Sequence, residues 1–144
     1  MAYIDSNLLA DETVVHRAEL HWLVFWKAML ALMAGVALMW VEPLAGAIGL
    51  ALALVLAIPP FVARFTSEFG VTSKRVIIKV GLIQRRTLEL LLRQVESIQV
   101  EQSILGRIFN YGSITLSGTG GVREVFHNIA APLEFRRKIQ SLIA

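Results

Sequence analysis

The chain has 144 residues, of which 56% are hydrophobic and 17% charged, and its mean hydropathy is +0.63. Between residues 20 and 63 the charged side chains are Lys27 and Glu42, whereas the other residues have the charge density of a soluble domain. This distribution excludes a purely soluble enzyme and also a transporter built only of membrane helices. The absence of cysteine excludes disulfides, thiolate nucleophiles and cysteine-based zinc sites.

Two apolar stretches, residues 22–40 and 44–62, predict a transmembrane helical hairpin. About 19 residues of α-helix span roughly 28 Å, the thickness of a bilayer's hydrocarbon core. Trp22, Trp26 and Trp40 stand near the ends of the first stretch, where indole rings prefer the membrane interface. The link at residues 41–43 is so short that the two helices must be antiparallel. Pro59 and Pro60 are expected to end the second helix.

The basic residues predict the orientation of this hairpin. The link has none, whereas Arg17, Arg64, Lys74, Arg75 and Lys79 flank the outer ends. By the positive-inside rule both termini lie in the cytoplasm and Glu42 lies outside, so the expected location is the cytoplasmic membrane. The net charge of +3 is explained by the same bias, and we expect no nucleic-acid partner.

Small residues recur along both helices at a spacing that favours close helix packing in lipid. They are Ala31 and Gly35 in the first helix and Ala45, Gly49, Ala53 and Ala57 in the second. The simpler interpretation is that the two helices of one hairpin pack on each other. The alternative is a homo-oligomer in which several hairpins form a bundle.

After the hairpin the pattern changes from continuous apolarity to alternation, which predicts about six short antiparallel strands. Their expected positions are residues 65–72, 75–80, 87–92, 97–102, a strand containing Ile114 and Leu116, and 122–129. Residues 103–110 break the alternation and predict a helical turn or a loop. Residues 13–20, which return to the same side of the membrane, are a candidate for one further strand.

An amphipathic helix is predicted at the end of the chain, over residues 132–144. Phe135, Ile139, Leu142 and Ile143 share one face of it, and Pro132 suits its first turn. The predicted fold is therefore α+β, with a membrane hairpin at 22–62 between a cytoplasmic segment, 1–21, and a cytoplasmic domain, 64–144. This domain is expected to be an antiparallel barrel or sandwich with the last helix at its open end.

Several separated motifs resemble the YdbS-like group of bacterial pleckstrin-homology (PH) domain proteins. They are the run FGVTSKRVIIKVGLI at residues 69–83 and the segments 95–98, 102–107, 111–112 and 118–120. The resemblance covers nearly the whole chain, including the hairpin. It implies a PH-like barrel with a C-terminal helix, attached to the cytoplasmic membrane, and it implies no particular activity.

The residue types that could support catalysis are sparse. His16, His21 and His127 are the histidines, and their spacing predicts neither a metal site nor a catalytic pair, so we interpret them as interfacial or surface residues. The glycine cluster at residues 118–121 lacks the lysine and Ser/Thr of a phosphate-binding loop and is explained as a hairpin turn. We therefore expect no enzyme activity, no cofactor and no metal, with a lipid-processing enzyme as the weakest alternative.

Basic residues in the first strands after the membrane leave two interpretations open. One is a topology signal with solvated side chains, and the other is contact with anionic lipid headgroups through Lys74, Arg75, Lys79, Arg85 and Arg86. Lys74 and Arg75 lie at the hairpin turn that binds phosphoinositides in some eukaryotic PH domains, although this turn is too short for a deep pocket. Our leading hypothesis is a non-enzymatic module that docks a partner protein or another copy at the inner leaflet. The alternative is an anionic-lipid module.

Overall fold

The chain folds into two units, which we describe separately, in a computed structural model that describes residues 3–81 and 85–143. The hairpin unit comprises Trp22–Phe65, and the β unit comprises the described residues of 3–21 and 66–143. The helices and strands are α1 (Tyr3–Ser6), β1 (Val14–Ala18), α2 (Trp26–Met39), α3 (Pro43–Thr66), β2 (Glu68–Thr72), β3 (Arg75–Val80), β4 (Arg86–Leu91), β5 (Val95–Glu101), α4 (Ile104–Phe109), β6 (Tyr111–Gly118), β7 (Val122–Ala130) and α5 (Pro132–Ile143). Short 3-10 helices cover Trp22–Phe25 and Leu92–Gln94.

The hairpin unit contains two helices that are long and apolar enough to cross a membrane, Trp22–Met39 and Pro43–Thr66. The first begins with the 3-10 turn before α2, so its α-helical part is shorter than predicted. The predicted end of the second helix is wrong, because α3 continues through Pro59 and Pro60 to Thr66.

The continuation of α3 past its prolines has a physical reason. Proline fixes φ close to the helical value, so each ring is compatible with helical φ, although each interior proline removes a backbone hydrogen bond and favours a kink. In the next turn the rings of Phe61 and Phe65, four residues apart, pack with their centroids 4.6 Å apart, which stabilises the continued helix. The predicted strand at 65–72 is therefore shorter, since Phe65 and Thr66 belong to the helix and β2 begins at Glu68.

In the described part of the β unit, seven antiparallel strands form two sheets. Sheet A has the order β1-β2-β3-β4, and sheet B has the order β5-β6-β7. The first strand, β1, lies within the stretch 13–20 and pairs with β2, although the hairpin separates the two in sequence. The domain is therefore discontinuous, and the predicted boundaries of 64–144 leave out an edge strand of sheet A.

The core of the β unit lies between the two sheets and α5. Register pairs Phe69 with Ile78 and Val71 with Val76, which stacks four buried side chains on the inner face of sheet A. Phe69 meets Phe126 of sheet B edge to face, with ring centroids 5.9 Å apart. This contact joins the two layers at their centre.

The last helix packs on this core through one face, as its periodicity predicts. Phe135 and Ile139 are fully buried and Leu142 is half-buried. Ile143 is exposed, contrary to the prediction, because at 100° per residue it lies about 80° from Phe135 on the helix circumference. Ala144, the last residue of the predicted helix, lies outside the described residues.

Candidate functional site

The five basic residues that sequence reasoning grouped as a lipid-contact site do not form one cluster. Arg75 is buried at the start of β3, and its side chain keeps 9% of its exposure. This position results from the register of sheet A, in which Arg75 lies opposite Leu91 next to the short β2–β3 turn. The burial of Arg75 argues against its predicted role, since a guanidinium in this position cannot reach a headgroup.

Arg75 is instead the centre of a buried ionic network. Its Nε donates to Glu12 Oε1 at 2.9 Å, and its Nη2 donates to Glu12 Oε2 at 3.1 Å. Its Nη1 donates to Glu89 Oε2 at 2.5 Å, and Nη2 also donates to the carbonyl oxygen of Asn7 at 2.6 Å. Thr72 Oγ1 donates to Glu12 Oε1 at 2.5 Å. Such a bidentate, hydrogen-bonded pair is the arrangement that compensates for burial of two charges.

The electrostatics of this network favour the ionised state of both partners. Burial alone would raise the pKa of Glu12, but hydrogen bonds from Arg75, the Leu9 amide and Thr72 outweigh it and lower the pKa to about 2. The hydrogen bond to Glu12 raises the pKa of Arg75 above its ordinary value. The pair is therefore a structural bond at every physiological pH.

The network fastens an N-terminal strap, residues 3–12, across the outer face of sheet A. The amides of Tyr3 and Ile4 donate to the carboxylate of Glu68 at 2.8 and 3.1 Å. Ile4 is buried over Gly70, where a Cβ would lie 2.5 Å from the Ile4 side chain. The strap explains why Ile77, opposite Gly70, is buried on a face that would otherwise meet water.

The remaining basic residues of the predicted site lie at different places on the β unit. Lys74 is exposed in the β2–β3 turn, and its Nζ donates to the carbonyl oxygen of Ala10 at 2.9 Å. Arg86 forms an ion pair with Glu124 of β7. These two residues do not contribute to a common anion site.

Lys79 and Arg85 are brought together by the strap. Lys79 Nζ lies 5.9 Å and Arg85 Cζ 6.0 Å from the centroid of the Tyr3 ring. Both distances are within the range of cation–π attraction. Among the described residues neither side chain forms an ion pair, so two positive charges share one aromatic ring on the surface.

The three histidines do not converge. His16 lies near Phe135, with ring centroids 6.1 Å apart, and His21, predicted to be an interfacial or surface residue, is buried against Tyr111 at 5.1 Å. His127 Nδ1 lies 2.9 Å from Ser113 Oγ in an exposed pair on sheet B. Across residues 3–81 and 85–143 no three His, Asp or Glu side chains are placed to hold a metal ion.

The glycine cluster at 118–121 lies in the tight connection between β6 and β7. Gly120 and Gly121 have φ of 82° and 80°, which glycine adopts without strain. A Cβ on either would meet nothing within 4 Å. The positive φ of Gly120 and Gly121 therefore explains why glycine occupies these two positions.

Three glycines set the closest approach of the two hairpin helices. A Cβ on Gly35 would lie 2.8 Å from the Leu50 nitrogen, and one on Gly49 would lie 2.8 Å from the Gly35 Cα. Gly46, which the predicted small-residue set omits, packs equally closely on the backbone of Met39. The helices of one hairpin therefore pack on each other through glycine.

The predicted alanines differ in their places on the hairpin. Ala53 is buried, while Ala31, Ala45 and Ala57 are half-buried. Ala53 and Ala57 border an apolar groove of about 510 Å³, which Phe25, Ala28 and Leu32 line from the other helix. Part of the predicted small-residue face is thus open rather than packed within the hairpin.

One short helix in the β unit has its apolar side chains outside. α4 buries Gly106, while Ile104, Leu105 and Ile108 are 79%, 57% and 67% exposed. A surface helix ordinarily has the opposite arrangement. Among the described residues of the β unit, these three are the most exposed large apolar side chains.

The hairpin, the two sheets and the C-terminal helix were compared with known proteins. Residues 23–143 match the family model described as the bacterial PH domain. The chain belongs to the bacterial PH domain family. The match begins inside the hairpin unit, so the family model includes both apolar helices, whereas β1 precedes the matched residues. Neither the search among curated proteins nor the search among solved structures gave a match.

In this bacterial PH domain protein, sequence reasoning missed the strap and its anchor, Glu12. The sequence offers no local pattern for this carboxylate, because its partner Arg75 lies 63 residues away. The exposed helix α4 did have a signal. Its apolar residues occur in adjacent pairs on either side of Gly106 and Arg107, and this spacing puts them on one face of a helix without showing whether that face points inward.

Proposed function

We propose that this chain is a non-enzymatic binding module of the cytoplasmic membrane, within the YdbS-like group of its family. The hairpin anchors it in the bilayer, and the β unit docks a partner protein or a second copy of the chain. Membership of the PH domain family supports the binding role, since it suggests an interaction module. The motifs at 69–83 and 102–107 support the subgroup.

The observation that carries the anchoring is the exposure of both apolar helices. In each helix 11% of the apolar window is buried within the fold. Side chains such as Met33 and Leu54 are 66% and 72% exposed, and a helix that is apolar all round needs lipid or protein on every side. A bilayer satisfies this requirement for two helices of this length.

The orientation follows from charge. Glu42, between the two helices, is exposed and has no basic neighbour in the link, whereas Arg17 and Arg64 lie at the outer ends. The positive-inside rule therefore favours both termini and the β unit on the cytoplasmic side.

The docking role is tested by purifying the tagged full chain in a mild detergent and measuring the mass of the particle. A chain containing only residues 22–65, with the same tag, is the matched control for contacts made by the hairpin alone. We expect a complex larger than one chain, whose partner or second copy is lost in the control. A reproducible monomer that carries no other protein would contradict the docking role.

A second candidate function is contact with anionic headgroups, and the pair of Lys79 and Arg85 over Tyr3 favours it. Two cations on one ring, with no ion-pair partner among the described residues, could share one phosphate. The double variant Lys79→Gln/Arg85→Gln should retain less anionic lipid after purification, as measured by mass spectrometry. Lys138→Gln on α5 is the control, and equal retention by both variants would exclude this site.

A further inference from the structure

The reversed polarity of α4 is fixed by its seat on the β unit. A Cβ on Gly106 would lie 2.6 Å from the carbonyl oxygen of Tyr111, so this residue faces inward against the backbone. Ser103 Oγ caps the helix by accepting a hydrogen bond from the Gly106 amide at 3.1 Å. Gln102 Nε2 donates to the carbonyl oxygen of Tyr111 at 3.1 Å. The helix cannot rotate its apolar face inward without breaking these bonds.

The end of α4 lies beside the residue at which the chain leaves the β unit. The helix ends at Asn110, in the left-handed conformation, and Tyr111 follows at once. The ring of Tyr111 packs on His21, whose amide donates to the carbonyl oxygen of Asn128 at 2.7 Å. The next residue after His21 is Trp22, where the apolar hairpin begins. The chain thus leaves the β unit beside the end of α4.

The exposure of α4 resembles that of the hairpin and not that of the rest of the β unit. Ile104 and Ile108 are as exposed as Met33 and Leu54 of the two apolar helices. Among the other described large apolar residues of the β unit, Leu9 alone is more than half exposed, at 54%. A surface with this composition, at the point where the chain turns into a lipid-spanning segment, fits lipid better than water.

We infer that α4 is an interfacial helix, which inserts Ile104, Leu105 and Ile108 into the lipid leaflet from which the first span begins. This inference rests on the membrane anchoring proposed above and adds a second contact with the same bilayer. An amphipathic helix that lies in the plane of the interface buries its apolar face about 5–10 Å deep, at the boundary between headgroups and acyl chains. Arg107 lies in the same helix and can keep its guanidinium at the headgroups while its stem lies among apolar groups.

The absence of cysteine makes a direct depth measurement practical. Ile104→Cys and Ile108→Cys, each in the full chain, carry an environment-sensitive fluorophore in liposomes that contain lipids with a nitroxide near the top of the acyl chain. Thr119→Cys is the control within the β unit, because the β6 strand separates its turn from α4 by roughly 25 Å. Leu54→Cys, near the middle of α3, is measured with a second lipid whose nitroxide lies deep in the acyl chain, and it reports whether the hairpin itself is in the lipid.

We expect the labels at 104 and 108 to lose most of their emission to the shallow nitroxide lipid, as the label at 54 does to the deep one, while the label at 119 changes little. If 104 and 108 behave like 119 while 54 is quenched, the hairpin is anchored but α4 is free for a protein partner, and the inference is overturned. If 54 is not quenched either, the anchoring itself fails and this inference fails with it. Two positions in α4 are labelled separately, so that a label that disturbs the helix at one position can be recognised from the other.

Discussion

The charge of Arg75 holds two distant parts of the chain together. Sequence position alone favoured an exposed residue at a hairpin turn, because lysine and arginine next to a turn usually face water. The structure buries Arg75 because Glu12, Glu89 and the Asn7 carbonyl oxygen together satisfy its donors. No local sequence pattern predicts this set of acceptors, since two of them belong to a strap that is distant from Arg75 in sequence.

The pKa of Glu12 leads to a prediction about stability and pH. It is lowered from 4.5 to about 2 in the fold, so the stability it contributes is present above about pH 4.5 and is lost as pH falls towards 2. The loss is on the order of 3 kcal/mol. Thermal unfolding of the full chain in detergent, measured between pH 7 and 2.5, should show this decline.

Glu12→Gln isolates the effect of this carboxylate. At pH 7 the variant should be less stable than the wild type by about 3–5 kcal/mol, because Arg75 keeps its burial and loses one anionic partner. That difference should shrink below pH 4.5. Glu101→Gln, at an exposed position of β5, is the control and should leave stability unchanged. A gap that stays constant down to pH 2.5 would show that Glu12 does not titrate as described.

Secondary structure shows which parts of the fold a sequence determines. The strands β3, β6 and β7 and the helix α5 follow from alternation and from helical periodicity, because each buries one face on a common core. The errors lie where a local rule competes with context. Pro59 and Pro60 do not end α3, whereas the helical turn or loop predicted at residues 103–110 is the helix α4. Its exposed face could not be foreseen, since periodicity shows that a face is apolar and not where it points.

The close packing of α2 on α3 predicts the sign of a glycine substitution. Gly35→Ala would place a methyl group 2.8 Å from the Leu50 nitrogen and 2.9 Å from the Gly49 carbonyl carbon, and backbone atoms cannot move aside cheaply. We expect a loss of about 1–3 kcal/mol in the full chain, measured by thermal unfolding in detergent.

If α2 did not pack closely on α3, Gly35→Ala would have the opposite effect on stability. Alanine favours a helix over glycine by about 1 kcal/mol, so Gly35→Ala would then stabilise the chain. Ala47→Leu, at an exposed position of α3, is the control for added volume and should change stability little. Stabilisation by Gly35→Ala would contradict the observed approach of the two helices.

The whole molecule is a discontinuous β unit interrupted by an apolar hairpin. Composition predicted both parts, because the low charge of residues 20–63 is visible without any structure. The candidate strand at residues 13–20 contains β1, but its pairing with β2 could not be predicted, since strand pairing across an insertion has no local pattern. Sheet A also depends on the N-terminal strap, because the side chain of Ile4 is buried over Gly70.

The discontinuity predicts that residues 66–144 alone do not fold. Without residues 3–21, β2 loses its β1 partner, and Arg75 and Glu68 lose the groups that bind them. An isolated 66–144 fragment should give a poorly dispersed NMR spectrum. A chain in which a long, flexible Gly/Ser linker replaces residues 22–65 restores the strap and β1 and should give a dispersed one. A well-folded 66–144 fragment would contradict the role of β1.

The central claim is that a membrane hairpin holds the β unit on the cytoplasmic side. Labelling with a membrane-impermeant maleimide tests it most directly, because each engineered cysteine is the sole thiol of the chain. In intact bacterial spheroplasts Glu42→Cys, in the link, should be labelled, and Thr119→Cys, in the β6–β7 turn, should be labelled only after the membrane is permeabilised. Labelling of Thr119→Cys in intact spheroplasts, with Glu42→Cys protected, would contradict the account.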